Sequence, residues 1–191
     1  MLDWTVDENW TLFLDRDGVI NERIMSGYVL DYKDFHFKQG VLESFATLSS
    51  KFKYIFVVTN QQCVALEKIS EVALAEIHHQ MQLDIEKVGG KITQVFAATE
   101  FKNKEPFMRK PSIGMGKLAK SLFPEIDFSK AIMVGDTNTD LIFGKKLGMK
   151  TVLIVTEEKV SVKADCVVKS LTELNQLILK SLFFFLYYYL F

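Results

Sequence analysis

The sequence predicts an α/β fold of three layers, in which helices cover both faces of a central parallel sheet. Short apolar segments alternate along the chain with segments whose apolar residues recur at helical spacing, a pattern typical of strand–helix–strand units. Such units join parallel strands by right-handed crossovers, and their sheet is buried on both faces. Hydrophobic residues make up 49% of the 191 residues, which is enough to form the core of one domain.

Segments rich in β-branched and aromatic residues are predicted to be strands, at 10–14, 54–58, 93–97, 131–134, 151–155 and 166–168. The predicted helices between them are 41–50, 70–88, 112–122 and 138–147. Ser70 is expected to cap the second helix, and Gly148 to end the fourth. Residues 1–170 are predicted to form one domain, followed by a C-terminal helix and aromatic extension over 171–191.

The C-terminal residues 181–191 are nearly all apolar, and Lys180 separates them from the apolar residues before them. A membrane span needs about 20 apolar residues, so no stable span is predicted. We expect an extension that packs on the protein or on a partner, with interfacial attachment through aromatic rings as the alternative. The first ten residues include three acidic ones and no apolar run, so the cytoplasm is the expected compartment.

The charge balance limits the classes of partner. The chain has 23 basic and 24 acidic residues, for a net charge of -1, which argues against nucleic acid as a partner. An anionic substrate must therefore be held by local groups. Cys63 and Cys166 are at neither zinc nor disulfide-scaffold spacing. The sequence predicts no particular oligomeric state.

Two aspartates follow the first predicted strand and can divide the work of phosphoryl transfer. Asp15, at the strand end, is the candidate nucleophile and would become an aspartyl-phosphate. Asp17 is the candidate acid and base. Gly18 lets the chain turn sharply after them. The alternative is an ordinary pair of aspartates in a turn.

A third aspartate suggests a metal site. Asp136 follows the fourth predicted strand, and clustered carboxylates repel one another unless a cation joins them. Oxygen ligands with open water positions suit Mg²⁺. Asp140, one helical turn later, could hold the metal ligands in place. The alternative for this pair is a helix cap and a surface acid.

Groups that could hold a phosphoryl anion follow two further segments. Thr59 offers a hydroxyl, the backbone at Asn60 offers N–H groups, and Lys110 offers the charge that offsets the transition-state oxygens. Pro111 is predicted to begin a helix, which places Lys110 near a positive helix end. A solvated surface lysine is the alternative. The carboxyl ends of parallel strands are where such folds bind ligands.

In this order, these segments resemble the haloacid dehalogenase (HAD) superfamily over about residues 9–156. Segments 15–21, 27–28, 58–61, 109–111 and 133–136 are similar to its heptose bisphosphate and histidinol-phosphate phosphatases. The resemblance implies a Rossmann-like domain with no large cap. It also implies Mg²⁺ on Asp15, the Asp17 backbone carbonyl and Asp136. The residues assigned to phosphate or substrate are Arg16, Thr59, Asn60, Gln61, Arg109 and Lys110.

The chain departs from these relatives in the loop 98–108, where they commonly bind zinc. The loop has no cysteine or histidine, so no zinc is predicted. We expect packing of Phe101, Phe107 and Met108 to hold it instead.

A second departure follows Gln62. Cys63 stands where relatives have a glycine, at a position where the backbone could need a positive φ. Leu66 and Glu67 replace a basic residue and a glycine, which weakens the case for a bisphosphate substrate. His36, His78 and His79 have no metal or triad spacing, and His78 and His79 are predicted on the polar side of the second helix.

The leading functional hypothesis is hydrolysis of a small phosphorylated metabolite, with access set by the loops 22–33 and 98–108. Heptose bisphosphate is the first candidate substrate, histidinol phosphate the second and another sugar phosphate the third. A nucleic-acid end phosphatase would need a basic groove, which the charge balance disfavours. A non-enzymatic scaffold derived from a phosphatase is the remaining alternative, and the complete set of motifs argues against it.

Overall fold

The computed structural model describes residues 4–102 and 107–190, with the backbone alone for 182–190. Six parallel strands form one sheet in the order β3-β2-β1-β4-β5-β6. They are β1 (Thr11–Leu14), β2 (Tyr54–Asn60), β3 (Gln94–Ala98), β4 (Ala131–Gly135), β5 (Lys150–Ile154) and β6 (Cys166–Val168). The helices are α1 (Val41–Leu48), α2 (Glu71–Lys87), α3 (Gly114–Leu122), α4 (Asn138–Leu147) and α5 (Leu171–Leu190).

The two faces of the sheet bury different side chains. Leu12 and Leu14 of β1 belong to a core cluster that includes buried residues of α1, α2 and α5. Phe13 points the other way, into a second cluster that includes buried residues of α3 and α4. This period of two follows from the pleat of a strand. The predicted three-layer α/β fold is confirmed, and no separate cap domain covers the sheet in the described ranges.

The helix boundaries agree with the predicted local signals at two places. Ser70 caps α2, because its hydroxyl oxygen accepts a hydrogen bond from the Ala73 amide at 3.1 Å. Gly148 ends α4 with a φ of 78°. Helix α3 begins at Gly114, two residues later than predicted, because the chain from Arg109 to Ser112 forms a turn closed by a 2.8 Å backbone hydrogen bond.

The first half of α5 is part of the core. Leu171, Leu174 and Ile178 are buried in the same cluster as α1 and α2. The division into a domain ending at 170 and a C-terminal extension stays a prediction, and the aromatic side chains of 182–191 lie outside the described residues. Across the described ranges, no helix has the length and hydropathy needed to cross a membrane.

Candidate active site

The carboxyl ends of three adjacent strands bring the predicted site residues together. Strand β1 lies between β2 and β4, so Asp15 after β1, Thr59 near the end of β2 and Asp136 after β4 meet at one sheet edge. Asp15 extends the pairing, since its backbone N–H donates to the Val134 carbonyl at 2.9 Å. Asp15 and Thr59 line a cleft of about 760 Å³, and this places the site where α/β sheets bind ligands.

A buried lysine holds the candidate nucleophile. The Lys110 ammonium lies 2.9 Å from Asp15 Oδ1 and 2.6 Å from Asp140 Oδ1. Burial alone would lower the pKa of Lys110, but Asp140 and Asp15 outweigh it, so the pKa is raised and the ammonium stays charged. Burial raises the pKa of Asp15 to about 7, against the opposing charge of Lys110. A cation beside Asp15 therefore favours the ionised, nucleophilic form.

The backbone of Lys110 is fixed by the strand β2. The Asn60 side-chain amide donates to the Lys110 carbonyl at 3.1 Å and accepts from the Lys110 N–H at 2.9 Å. Asn60 thus positions the lysine, and it also lines the cleft beside Arg109. The predicted contacts of Thr59, Asn60, Arg109 and Lys110 with substrate stay predictions.

Asp17 faces the cleft with its carboxylate held from behind. The oxygens Oδ1 and Oδ2 each lie 3.0 Å from Arg16 Nη2. Asn21 donates to Oδ1 at 3.0 Å, and Gln61 donates to Oδ2 at 2.7 Å. Burial raises the pKa of Asp17, but Arg16 and these hydrogen bonds outweigh it, so the pKa is lowered. The carboxylate is therefore ionised and fixed in orientation.

Two residues assigned to substrate binding are turned away from the cleft. The Arg16 guanidinium is fully buried beside Asp17 and His78, and only its backbone N–H reaches the site, donating to Asp15 Oδ1 at 2.8 Å. The Gln61 side-chain amide donates to Thr59 Oγ1 at 2.9 Å as well as to Asp17. Any contact of Arg16 with substrate would therefore come from its backbone.

Arg23 is a site residue that the sequence did not reveal. Its Nη2 lies 2.7 Å from Asp136 Oδ1 and 3.0 Å from the Asp17 carbonyl oxygen, and its Nε lies 3.2 Å from Asp136 Oδ2. Burial raises the pKa of Asp136 to about 6, although Arg23 acts in the opposite direction. An arginine in a loop carries no distinctive signal in the sequence, and that loop was assigned only to access.

The donor set fits a divalent cation. Oxygens of Asp15, Asp136 and Asp140 lie within 4.8 Å of one another. The Asp136 carboxylate and the Asp17 carbonyl already share one positive group, the Arg23 guanidinium, which shows that these oxygens can converge on a cation. Gly18 is required for this approach, since its φ is 90° and a Cβ there would lie 2.1 Å from Asp136 Oδ2.

Asp140 contacts both the buried lysine and the start of α4. Its Oδ1 contacts Lys110, and its Oδ2 accepts hydrogen bonds from the backbone N–H and the hydroxyl of Thr137 at 3.0 and 2.6 Å. It therefore belongs to the cap of α4, as the alternative interpretation predicted, but it is fully buried and not a surface acid. Its role as a supporting residue of a metal site stays a prediction.

The loop after β3 is held by a carboxylate. Glu100 accepts backbone hydrogen bonds from Met108 at 3.1 Å and from Arg109 at 2.9 Å. The predicted packing is wrong for Phe107, whose surface is 65% exposed, because the loop is closed by these polar contacts. Met108 does pack against the second core cluster. Residues 103–106 of the loop lie outside the described residues.

Two further predictions near the cleft are corrected. His78 is buried on α2, not on its polar side, and its Nε2 lies 3.0 Å from Arg16 Nη1; His79 is exposed as predicted. A left-handed backbone conformation occurs not at Cys63 but at Glu67, where φ is 55°. The position whose backbone favours glycine is therefore Glu67, which replaces the glycine that follows the basic residue in relatives.

Comparison with known proteins identifies the chemistry of this edge. A family model described as HAD-hydrolase-like matches residues 107–174. The chain is a HAD-type phosphatase, a hydrolase of phosphoric monoesters.

Curated relatives define the family more closely. The chain is 33% identical over 132 residues to the D-glycero-alpha-D-manno-heptose-1,7-bisphosphate 7-phosphatase of Mycobacterium tuberculosis, covering 69% of this chain and 70% of the relative. It is 33% identical over 177 residues to the D-glycero-beta-D-manno-heptose-1,7-bisphosphate 7-phosphatase of Haemophilus ducreyi, covering 85% and 94%. The chain belongs to the D-glycero-D-manno-heptose-1,7-bisphosphate 7-phosphatase family, which confirms the resemblance inferred from its motifs.

A solved structure shares the fold. The D,D-heptose 1,7-bisphosphate phosphatase of B. bronchiseptica, solved with magnesium and phosphate, matches with a TM-score of 0.78 at 22% identity. The match covers 90% of this chain and 99% of that one. At this identity the likeness shows the common fold.

Proposed function

We propose that the chain is a Mg²⁺-dependent phosphatase that hydrolyses D-glycero-D-manno-heptose 1,7-bisphosphate through an aspartyl-phosphate on Asp15. The observation that carries the chemistry is the buried Asp15–Lys110 contact of 2.9 Å at the wall of the cleft. The family names support the substrate, because the curated relatives act on the alpha or the beta anomer of this bisphosphate.

In the first half-reaction, an oxygen of Asp15 attacks phosphorus and the bond from phosphorus to the sugar oxygen breaks. Asp17 supplies the proton that the departing alkoxide takes up, so this half-reaction requires the protonated form of Asp17, which its lowered pKa makes the minor form of the free enzyme. Lys110 offsets negative charge on the phosphoryl oxygens while they are transferred. The charge of Lys110 is available there because its only described ion-pair partners, Asp15 and Asp140, belong to the same site.

In the second half-reaction, a water molecule attacks the phosphorus of the aspartyl-phosphate and the bond to Asp15 breaks. Asp17 takes the proton from this water; its carboxylate is ionised and fixed in orientation, so it is available as the base, and its lowered pKa makes it a weaker base than a free carboxylate. Bound Mg²⁺ would supply a charge that screens Asp15 from the phosphoryl group, held by Asp15, Asp136 and the Asp17 carbonyl.

The cleft offers positive charge beyond the reacting phosphate. Lys102, Arg109 and Lys159 line it, together with Glu158 and with Arg23, which is already paired with Asp136. The first three of these groups could hold the second phosphate of a bisphosphate, which offsets the loss of a basic residue at Leu66. Charge in the cleft thus supports a substrate that is doubly phosphorylated.

One observation favours a second candidate, a phosphate ester with an apolar or aromatic part such as histidinol phosphate. The side chains of Ile24, Met25 and Tyr28 also line the cleft, and Met25 is 61% exposed. Such a wall could contact an imidazole ring.

The two candidates are separated by measuring phosphate release in Mg²⁺ from heptose 1,7-bisphosphate, histidinol phosphate, hexose phosphates and nucleotides. We expect kcat/KM for the heptose bisphosphate to exceed the others by about 100-fold, as expected when a site pairs with the polar groups of its own substrate. A higher value for histidinol phosphate would overturn the substrate assignment. An Asp15→Asn variant controls for contaminating phosphatases, and equal turnover by both proteins would support a non-enzymatic role.

A further inference from the structure

A fully buried arginine lies directly behind Asp17. Arg16 has no exposed surface, although burial of a guanidinium is costly unless it is paired and hydrogen-bonded. Its Nη2 contacts both carboxylate oxygens of Asp17 at 3.0 Å, and its guanidinium carbon lies 5.9 Å from the centre of the Phe35 ring. Arg16 is absent from the lining of the cleft. Its side chain therefore acts on Asp17 and not on a ligand.

A buried histidine holds the other side of this guanidinium. His78 lies in the middle of α2, and its Nε2 is 3.0 Å from Arg16 Nη1. Arginine only donates hydrogen bonds, so Nε2 is the acceptor and the ring proton of neutral His78 lies on Nδ1. Burial, and then the charge of Arg16, lower the pKa of His78 to about 3. The ring is thus an acceptor throughout the neutral pH range.

These contacts hold the planar guanidinium of Arg16 through two of its nitrogens. Because the guanidinium is rigid, an acceptor at Nη1 and a carboxylate at Nη2 together determine its orientation. Asn21 and Gln61 then each donate to one oxygen of Asp17, so the plane of the carboxylate is fixed as well. Removing His78 would take away the described acceptor of Nη1, so the guanidinium would be held through its contact with Asp17, and the orientation of Asp17 would depend more on Asn21 and Gln61.

We propose that His78 is a positioning residue that acts through Arg16 to hold the Asp17 carboxylate where it exchanges protons with the leaving group and with water. The proposal rests on the role of Asp17 in the proposed function, but not on the identity of the sugar. Helix α2, which otherwise covers the sheet, would then help to position a reacting group, through the contact of His78 with Arg16.

The leaving group provides the test. A sugar alkoxide must be protonated as it departs, whereas p-nitrophenolate is a stable anion and departs without a proton. The ratio kcat/KM reports the steps up to departure of the leaving group. Misplacement of Asp17 should therefore lower kcat/KM for an alkyl phosphate and spare p-nitrophenyl phosphate, while general damage to the site would lower both.

Three variants of the full chain carry the experiment. His78→Leu removes the acceptor, His78→Gln keeps an acceptor oxygen at nearly the same reach, and His79→Leu makes the same change on the exposed side of α2. The substrates are heptose 1,7-bisphosphate, fructose 1,6-bisphosphate as a second alkyl phosphate, and p-nitrophenyl phosphate. Thermal unfolding of each variant checks that it is folded.

We expect His78→Leu to lower kcat/KM for the alkyl phosphates about 100-fold, and for p-nitrophenyl phosphate less than about threefold. His78→Gln should recover most of the loss, and His79→Leu should match the parent protein. An equal loss on all substrates, no loss, or a His78→Gln variant as impaired as His78→Leu would overturn the proposal. Failure of the heptose assignment would appear separately, as a parent protein that prefers fructose bisphosphate while the leaving-group contrast remains.

Discussion

The edge of the sheet and the loops around the cleft differ in how their residues are fixed. At the edge, Asp15, Thr59 and Asp136 are placed by three paired strands whose register leaves little freedom. In the loops, Arg23 and Glu100 are placed by a few polar contacts each. We therefore expect the chemistry to depend on the rigid edge and the choice of substrate to depend on the loops.

The largest effect is expected at the rigid edge. Asp15→Asn should lower turnover at least about 10⁴-fold, because an amide is a poor nucleophile and cannot form the aspartyl-phosphate. Phosphate release measures the loss, and circular dichroism should show an unchanged fold. Turnover equal to that of the parent would point to a contaminant, and a smaller but substantial remainder would show that another group attacks phosphorus.

The pH dependence of stability tests the buried carboxylates of the same edge. Burial raises the pKa of Asp15 to about 7 and that of Asp136 to about 6. Both carboxyls bind protons more tightly when folded, so the stability of the protein in EDTA should fall as pH rises from about 4 to about 7.

Mg²⁺ favours the ionised carboxylates and should therefore raise the melting temperature more at about pH 8 than at about pH 5. Asp17, whose pKa is lowered, acts in the opposite direction only below about pH 4, outside this window. An Asp136→Asn variant isolates the contribution of Asp136, and its stability should depend less on pH than that of the parent.

Turnover should stop in EDTA and return with Mg²⁺. Metal-independent turnover would contradict the proposed role of Asp136.

In the loop after β3, Glu100→Ala should raise KM about tenfold with a smaller change in kcat, because Arg109 loses the acceptor that places its backbone. Glu100→Gln keeps an acceptor oxygen and serves as the matched control. An unchanged KM in Glu100→Ala would show that the loop is placed by other contacts.

Metal analysis should find less than one equivalent of zinc in the parent.

In the loop after β1, Arg23→Met should tighten Mg²⁺ binding about fivefold by calorimetry, because the guanidinium and the cation contact the same oxygens of Asp136 and Asp17. Arg23→Lys, which keeps the charge, should change the affinity less. Weaker binding in Arg23→Met would mean that Arg23 supports the cation site.

The smallest effect is expected away from the cleft. Glu67 has a φ of 55°, which costs a non-glycine residue about 1 kcal/mol. Glu67→Gly should raise the free energy of unfolding by less than that amount in urea titration, because glycine also loses more conformational entropy on folding. Lys68→Gly, next to it and outside the left-handed region, should lower the same free energy.

The residues at the edge of the sheet could be predicted from the sequence. Strand ends can be located from hydrophobic patterns, and parallel topology then brings Asp15, Thr59 and Asp136 together. It was partly sufficient for α2. His78 is one residue after buried Ile77 and three before buried Met81, so helical periodicity already places it on the buried side, and its polar character misled the interpretation.

Contacts made by loops could not be predicted in the same way. The approach of Arg23 to Asp136 spans 113 positions along the chain and depends on the path of an irregular segment. Glu100 stands in a loop where relatives were expected to use zinc, and no local pattern identifies a carboxylate that accepts two backbone N–H groups. Such positions require the folded backbone.

The most direct test of the central claim is to trap the aspartyl-phosphate. The enzyme is mixed with heptose 1,7-bisphosphate and Mg²⁺, quenched in acid and reduced with borohydride, which converts an aspartyl-phosphate to homoserine. Peptide mass spectrometry should find this change at Asp15 and not at Asp17 or Asp136. Turnover without modification of Asp15, or modification of another aspartate, would contradict the account.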